Sequence, residues 1–144
     1  MTTFATTREI LATPEQIFAA FTDPQRLERW WGPAGFTNTF TLCEFRPGGR
    51  WVYTMHGPNG GKHPNESVFA EIEPAARVVI RHVSSPRYRL TIGLAASPAG
   101  TTVSWEQVFE DSAFAERVRH IVVPANEQNL DRLAAEVKGV PGGA

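Results

Sequence analysis

The last long segment of the chain, Asp111 to Lys138, constrains the fold more than any other part of the sequence. Its apolar residues recur at helical spacing in two stripes, and the second stripe is rotated by about a quarter-turn from the first. The first stripe comprises Phe114, Val118, Ile121, Val122 and Ala125, and the second comprises Asn126, Leu130, Leu133 and Val137. The change of direction predicts a short helix, a break at Val122-Val123-Pro124, and a longer helix that has Pro124 at its first position, where the missing N–H costs nothing.

The segments before this helix predict an antiparallel sheet. A loose alternation over Phe4 to Leu11 indicates a first strand, and Thr13-Pro14 and Asp23-Pro24 are start signals for two short helices. Six β-type runs, separated by turn residues, then follow at the spacing of a meander. They are Thr37–Phe45, Arg50–His56, Ser67–Glu73, Arg77–Val83, Tyr88–Ala95 and Thr101–Phe109. The expected fold is therefore α+β, with a curved antiparallel sheet of about six or seven strands that wraps a long C-terminal helix.

Length, charge and cysteine content limit the classes of function. The 144 residues fit a single domain, with 3–138 as the expected ordered core, 139–144 as a tail and Val140–Ala144 as a disordered end. A net charge of −1 argues against binding to nucleic acid, and no apolar run reaches the roughly 20 residues that span a bilayer. Signal-peptide features are missing from the start, and the single Cys43 cannot form an intrachain disulfide, so we expect a cytoplasmic protein. Cys43 itself fits an apolar filler better than a nucleophile.

Alternation within the strands predicts one aromatic face and one polar face for the sheet. The expected inner positions are Trp51, Tyr53, Met55, Leu90, Ile92, Leu94, Val103, Trp105, Gln107 and Phe109. The expected outer positions are Arg50, Thr54, His56, Arg89, Thr91, Ser104 and Glu106. Because only the predicted helices can cover the aromatic face, the site of any ligand is expected between the sheet and the C-terminal helix.

Two ionisable residues have no unique orientation in this pattern. If Phe69 faces inward, strict alternation places Glu71 inward as well, where burial would raise the pKa of its carboxyl group. The opposite register leaves Glu71 in solvent. His82 shares a face with Val78 and Ile80, and is either satisfied in the core or available to a site.

Several motifs along the chain are shared with a known family. They are Thr13-x-x-x-Ile17-Phe18-x-Ala20-Phe21-Thr22-Asp23-Pro24, Leu27-x-x-Trp30-Trp31-Gly32-Pro33, Gly48-Gly49-Arg50-Trp51, Gly57-Pro58-Asn59-Gly60, Glu71-Ile72-x-Pro74, Thr102-Val103-x-Trp105-x-Gln107-x-Phe109 and Asn129-Leu130-Asp131-Arg132-Leu133. Over about Phe4 to Lys138 the sequence resembles proteins similar to the activator of the heat-shock-protein-90 ATPase. These proteins are a branch of the START and birch-pollen-allergen (SRPBCC) superfamily.

The resemblance implies a helix-grip fold with a tunnel or pocket between sheet and helix. Such folds typically bind lipids, polyketides, hormones or other apolar small molecules. Many relatives carry a Gly-Trp pair early in the last helix, whereas this chain has Pro124-Ala125-Asn126-Glu127. No ligand contact of the family is therefore transferred to that turn.

The first functional hypothesis is the binding of a small apolar or aromatic molecule, without a cofactor or a metal. Rings that converge with a few polar groups are typical of a ligand pocket, although the same rings could simply fill a core. Buried amides such as Gln107 and Asn126 would need water or a ligand as a partner. The candidate ligand-binding residues are Trp30, Phe36, Trp51, Tyr53, Met55, Phe69, Leu90, Ile92, Trp105, Gln107, Phe109, Asn126 and Leu130.

A second hypothesis is a cyclase-, aromatase- or hydrolase-like enzyme. Glu71, His82 and Tyr53 are its candidate acid–base groups. The sequence contains no nucleophile elbow, phosphate loop or zinc motif, and His56 and His63 fit solvated residues better than metal ligands.

A third hypothesis is a protein-interaction role, through a chaperone or a homodimer. Neighbours on a helix differ by about 100°, so Trp30 and Trp31 are not expected to be buried together. One of them would then lie at a cavity mouth or an interface. Arg81, Arg87 and Arg89 could form a basic patch on the outer sheet, or a solvated face.

Overall fold

A computed structural model describes residues 1–139, so the predicted disorder of Val140–Ala144 falls outside the described part. In chain order the elements are β1 (Thr2–Ile10), α1 (Pro14–Thr22), α2 (Pro24–Trp30), β2 (Thr37–Cys43), β3 (Arg50–His56), β4 (Lys62–Glu73), β5 (Arg77–His82), β6 (Tyr88–Ser97), β7 (Gly100–Phe109) and α3 (Ser112–Lys138). The strands form one antiparallel sheet in the order β1-β7-β6-β5-β4-β3-β2. The α+β fold, with two short helices after the first strand and a curved open sheet beside a long C-terminal helix, is therefore confirmed.

Both predicted helix starts have the expected caps. The Thr13 side chain accepts a hydrogen bond from the Gln16 backbone N–H at 3.1 Å, and the Gln16 side chain accepts one from the Thr13 N–H at 2.8 Å. This reciprocal capping box begins α1. The Asp23 carboxylate caps α2 by accepting from the Gln25 N–H at 2.9 Å.

The break predicted near Pro124 is wrong, because α3 is one helix of 27 residues that contains Pro124 in its interior. An interior proline removes one backbone hydrogen bond and costs about 3 kcal/mol in an isolated helix. Packing on both sides of the proline offsets this cost: Ala115 is fully buried before it, and Leu130 and Leu133 are fully buried after it. The first stripe is only partly covered, and Ile121 remains 58% exposed.

A bulge in β4 resolves the orientation of Glu71. The register with β5 shifts between Phe69 and Glu71, so Phe69 is fully buried while the Glu71 carboxylate lies on the outer face, 3.5 Å from Arg77 and 3.9 Å from Arg89. The bulge breaks the strict alternation on which the inward alternative depended. Elsewhere the predicted inner positions of β3, β6 and β7 do face the helices.

Ion pairs fix the helices to the rest of the fold. Glu136 of α3 pairs with Arg26 at 3.0 Å and with Arg29 at 2.9 Å, both on α2. Arg8 of β1 pairs with Glu127 at 3.0 Å and Asp131 at 2.6 Å on the same helix. α3 is thereby held at two places across the sheet. Within residues 1–139, none of the helices combines the length and hydrophobicity required to cross a bilayer.

Candidate ligand-binding site

A cluster of aromatic rings fills the space between the sheet and the helices, with Trp51 of β3 at its centre. The Trp51 ring stacks on Phe69 with centroids 5.2 Å apart and lies 4.4 Å from the Tyr53 ring. Phe40 and Trp31 meet it edge-on at 5.4 and 5.0 Å. Because neighbouring strands supply Trp51 and Phe69, the curvature of the sheet brings these rings together on one concave face.

The structure gathers most of the predicted site residues in this one core. Trp30, Trp51, Tyr53, Phe69, Leu90, Ile92, Trp105 and Leu130 are each at most 2% exposed and belong to it, and Met55 packs against it. Phe109 instead forms a second, smaller cluster with Phe4 and Ala115. Phe36 is half-buried at the rim, with its ring 6.1 Å from that of His63.

The prediction that only one of the adjacent tryptophans is buried is wrong. Trp30 is 1% exposed and Trp31 is 3% exposed. The helical rule does not apply because α2 ends at Trp30, and Trp31 is its cap with an extended backbone (φ −68°, ψ 133°). This conformation turns the Trp31 ring inward, where it lies 6.1 Å from Trp105 and 5.0 Å from Trp51.

Three polar atoms inside this cluster are unpaired. Within residues 1–139, the indole Nε1–H groups of Trp51 and Trp105 and the Ser67 hydroxyl have no hydrogen-bond partner. Trp30 shows the contrast, because its Nε1–H donates to the Ala20 carbonyl at 2.9 Å. A buried donor without an acceptor costs about 1–3 kcal/mol, and such groups in proteins usually meet water or a ligand.

Two tyrosines supply further polar atoms to this region. Burial raises the pKa of Tyr53 to about 12, while Ser67 and Trp31 beside its hydroxyl act in the opposite direction. Burial, with a smaller contribution from Tyr53, also raises the pKa of Tyr88 well above its usual value. Both hydroxyls are therefore neutral near pH 7 and can donate a hydrogen bond, but neither is a base.

His82 is held in the core by its own contacts. Its Nδ1 lies 2.6 Å from the Pro86 carbonyl oxygen, its Nε2 lies 2.6 Å from Asn65 Oδ1, and its ring stacks on Tyr88 at 4.5 Å. Burial lowers the pKa of His82, and hydrogen bonding to the Pro86 carbonyl partly opposes this shift. Since both ring nitrogens are engaged, His82 serves the packing of the loop between β5 and β6.

The two predicted amides pair with each other. Asn126 Nδ2 donates to Gln107 Oε1 at 3.0 Å, so neither side chain lacks a partner, as the sequence had suggested it would. Asn126 also lines a surface groove of about 240 Å³ between β1 and α3. The other residues lining this groove are Thr3, Phe4, Ala5, Thr6, Arg119, Val123 and Glu127.

The remaining candidates lie outside the interior cluster or at its margin. His56 Nε2 is 2.8 Å from Thr39 Oγ1 on the exposed side of β3. Arg81, Arg87 and Arg89 are exposed. Cys43 packs against the core, and burial raises the pKa of its thiol to about 11, which keeps it a thiol at neutral pH.

Two polar residues of α3 were missed by the sequence reasoning. Asn129 Nδ2 donates to the Trp30 carbonyl at 3.0 Å, and Arg132 donates to the carbonyls of Trp31, Gly32 and Pro33 at 2.9–3.1 Å. Both belong to the motif Asn129-Leu130-Asp131-Arg132-Leu133. Their presence on an otherwise apolar stripe was the available signal.

Solved structures share this architecture over nearly the whole chain. A crystal structure of a protein from Chromobacterium violaceum is 26% identical, with a TM-score of 0.82, and the match covers 94% of this chain and 96% of that one. A solution structure of a protein from Arthrobacter aurescens is 23% identical, with a TM-score of 0.87 and coverage of 99% and 89%. A solution structure of an AHSA1-like protein from Aeromonas hydrophila is 18% identical, with a TM-score of 0.77 and coverage of 99% and 96%.

Sequence comparison identifies the family. None of the curated proteins shows significant similarity to the chain. The model of the family described as activator of Hsp90 ATPase homolog 1-like protein matches residues 11–138, which include both early motifs, the sheet from β2 onward and α3. The chain therefore belongs to the activator of Hsp90 ATPase homolog 1-like family, within the SRPBCC superfamily.

Proposed function

We propose that this protein binds a small, mostly apolar or aromatic molecule that carries a hydrogen-bond acceptor, in the interior between the sheet and α3. The proposal rests on the unpaired indole N–H groups of Trp51 and Trp105, which are buried among rings. A ring offers such a donor almost nothing, whereas a carbonyl or ether oxygen forms a full hydrogen bond with it. A ligand with such an oxygen would satisfy donors that the protein leaves open.

The charge distribution favours an uncharged ligand. Among residues 1–139, the buried polar side chains are Ser67, His82, Thr101, Gln107 and Asn129, and none is an acid, a lysine or an arginine. An ionised ligand in this interior would have no counter-ion and would lose its hydration, which is costly at low dielectric. A neutral ketone, ester or phenol avoids that cost.

Within this proposal the interior residues have distinct roles. Trp51 and Trp105 donate to the ligand oxygen, and the Tyr53 hydroxyl is a further donor. The apolar walls are Trp30, Met55, Phe69, Leu90, Ile92 and Leu130. Gln107 and Asn126 close the end of the site next to the groove along β1.

The family is typically ligand-binding or chaperone-associated, and the interior supports the first of these roles. The geometry gives less support to catalysis. Glu71 is on the outer face, His82 has both nitrogens engaged, and the pKa of Tyr53 is raised to about 12, so none of the three is placed as a base toward the interior.

The four tryptophans of the chain provide the test. The indole N–H signals would be recorded by ¹⁵N–¹H correlation while 1-tetralone, a bicyclic ketone, is added, with tetralin as the matched hydrocarbon without the oxygen. We expect 1-tetralone to move the Trp51 and Trp105 signals downfield and to leave the Trp30 signal, whose N–H already donates to Ala20, nearly unchanged.

Tetralin is expected to bind more weakly, by roughly 1 kcal/mol or more, because it leaves both donors unpaired. The proposal fails if neither compound shifts the Trp51 and Trp105 signals. It also fails if ketone and hydrocarbon bind equally well.

A further inference from the structure

Trp31 enters the interior from the connection between α2 and β2. The strands that carry Trp51 and Trp105, β3 and β7, are separated in the sheet by β4, β5 and β6. The Trp31 ring nevertheless lies 5.0 Å from one and 6.1 Å from the other. A ring that reaches both must lie across the middle of the concave face. It therefore fills the space between the two unpaired indole donors.

Polar side chains of α3 hold this connection in place. Arg132 Nη1 donates to the carbonyls of Trp31 at 3.1 Å, Gly32 at 3.0 Å and Pro33 at 2.9 Å. Its Nη2 donates to the Arg29 carbonyl at 2.7 Å. One guanidinium thus binds four carbonyls around the end of α2. Because the Arg132 side chain is half-buried, water can replace these bonds when the connection moves.

Asn129 and Asn38 add bonds on either side. Asn129 Nδ2 donates to the Trp30 carbonyl at 3.0 Å, and Asn38 Nδ2 donates to the Trp31 carbonyl at 2.8 Å. The next residue, Gly32, has φ +99°, and a Cβ at this position would lie 2.8 Å from the Met55 methyl group. The connection therefore has a glycine next to the tryptophan, at a backbone angle that other residues rarely adopt.

We propose that Trp31 is a displaceable plug. In the empty protein its indole occupies the binding space, and a ligand enters by moving the segment 31–36 outward against the hydrogen bonds from Asn129 and Arg132. The exchange is balanced because a ligand ring replaces the indole among the same aromatic neighbours. The ligand oxygen then also satisfies the Trp51 and Trp105 donors. This inference rests on the proposed function and adds how access to the site is controlled.

The test compares the affinity for 1-tetralone, by titration calorimetry, of the wild type, Trp31→Ala, Arg132→Met and Arg117→Met. Trp31→Ala removes the plug, and Arg132→Met removes the bonds that hold it. Arg117→Met is the matched control, because Arg117 is at the other end of α3 and lies over the Phe114 ring at 5.8 Å. We expect the first two variants to bind at least tenfold more tightly than the wild type, and the control to bind as the wild type does.

Hydrogen exchange gives a second readout. The Trp31 N–H donates to the Leu27 carbonyl at 3.0 Å, and the Phe36 N–H donates to the Pro33 carbonyl at 3.2 Å, so both amides report opening of the connection. Saturating 1-tetralone is expected to accelerate their exchange at least tenfold in the wild type. Arg132→Met is expected to do so without ligand.

The outcomes separate the two proposals. Equal affinity of the wild type, Trp31→Ala and Arg132→Met overturns the plug and leaves ligand binding intact, since the ketone then binds beside Trp31. Binding by Trp31→Ala alone overturns both proposals, since Trp31 is then a fixed part of the core. If Trp31→Ala does not fold, Arg132→Met, which keeps all four tryptophans, carries the comparison.

Discussion

The substitution Trp105→Phe tests whether a buried indole N–H is unpaired, and Trp30→Phe is its matched control. Each change removes the indole nitrogen and about two carbon atoms of buried ring, which costs roughly 1.5 kcal/mol at about 0.8 kcal/mol per carbon. The two residues are 2% and 1% exposed, so the apolar losses are comparable. They differ in the hydrogen bond: the Trp30 N–H donates to Ala20 at 2.9 Å, and the Trp105 N–H has no partner within residues 1–139.

The hydrogen bond decides the sign of the difference. Trp30→Phe leaves the Ala20 carbonyl unsatisfied, which adds about 1–3 kcal/mol, so the total destabilisation is expected to be about 2.5–4.5 kcal/mol. Trp105→Phe removes an unsatisfied donor and recovers about 1–3 kcal/mol, so the free energy of unfolding is expected to change by less than about 1.5 kcal/mol in either direction.

Urea unfolding at pH 7, followed by circular dichroism, measures both values. The slope with denaturant must remain unchanged for the comparison to hold. If Trp105→Phe destabilises the protein as much as Trp30→Phe does, the Trp105 N–H is already satisfied. The main support for a ligand oxygen at this position would then be lost.

Three further predictions concern stability. Since burial raises the pKa of Tyr53 from 10.0 to about 12, its contribution is complete below pH 10 and is lost as the pH rises through 12; Tyr53→Phe should remove about 2–3 kcal/mol of this alkaline dependence, and an unchanged urea profile between pH 9 and 12 would contradict it. Hydrogen bonds from Arg29 hold the pKa of Glu136 below 4.5, so its contribution is present above pH 4.5 and is lost on acidification; Glu136→Gln should cost about 1–2 kcal/mol at pH 7 and flatten the acid limb, which acid titrations of both proteins would reveal. Pro124→Ala should restore the bond to the His120 carbonyl and raise the unfolding free energy by about 1 kcal/mol, whereas a loss in thermal melts would favour a helix that begins at Pro124.

Much of the fold could be predicted because its determinants are local. Thr13-Pro14 and Asp23-Pro24 begin helices through bonds that span only two or three residues. The inner positions of β3 and β7 follow from the two-residue period of a strand. The family motifs added the arrangement of the sheet around the last helix.

The errors arose where distant contacts decide the outcome. The continuity of α3 depends on how well its two halves pack against cost at Pro124, which no local pattern reports. The position of Glu71 depends on a bulge opposite β5. The inward turn of Trp31 depends on α2 ending one residue earlier than a helical wheel assumes, and such ends are the least predictable feature of a helix.

The rings of the candidate site could be predicted, but their hydrogen bonding could not. Alternation places Trp51 and Trp105 on the inner face, yet only the folded chain shows that their N–H groups lack acceptors. The same limit applies to Gln107 and Asn126, which come from β7 and α3 and satisfy each other. Pairing of this kind depends on the distance between elements that are far apart in sequence.

A crystal structure of the protein grown with 1-tetralone tests the central claim most directly. We predict electron density for the ketone between Trp51 and Trp105, with its oxygen about 2.9 Å from at least one indole nitrogen and the Trp31 ring displaced. Density confined to the groove between β1 and α3, with Trp31 in place between Trp51 and Trp105, would contradict the account.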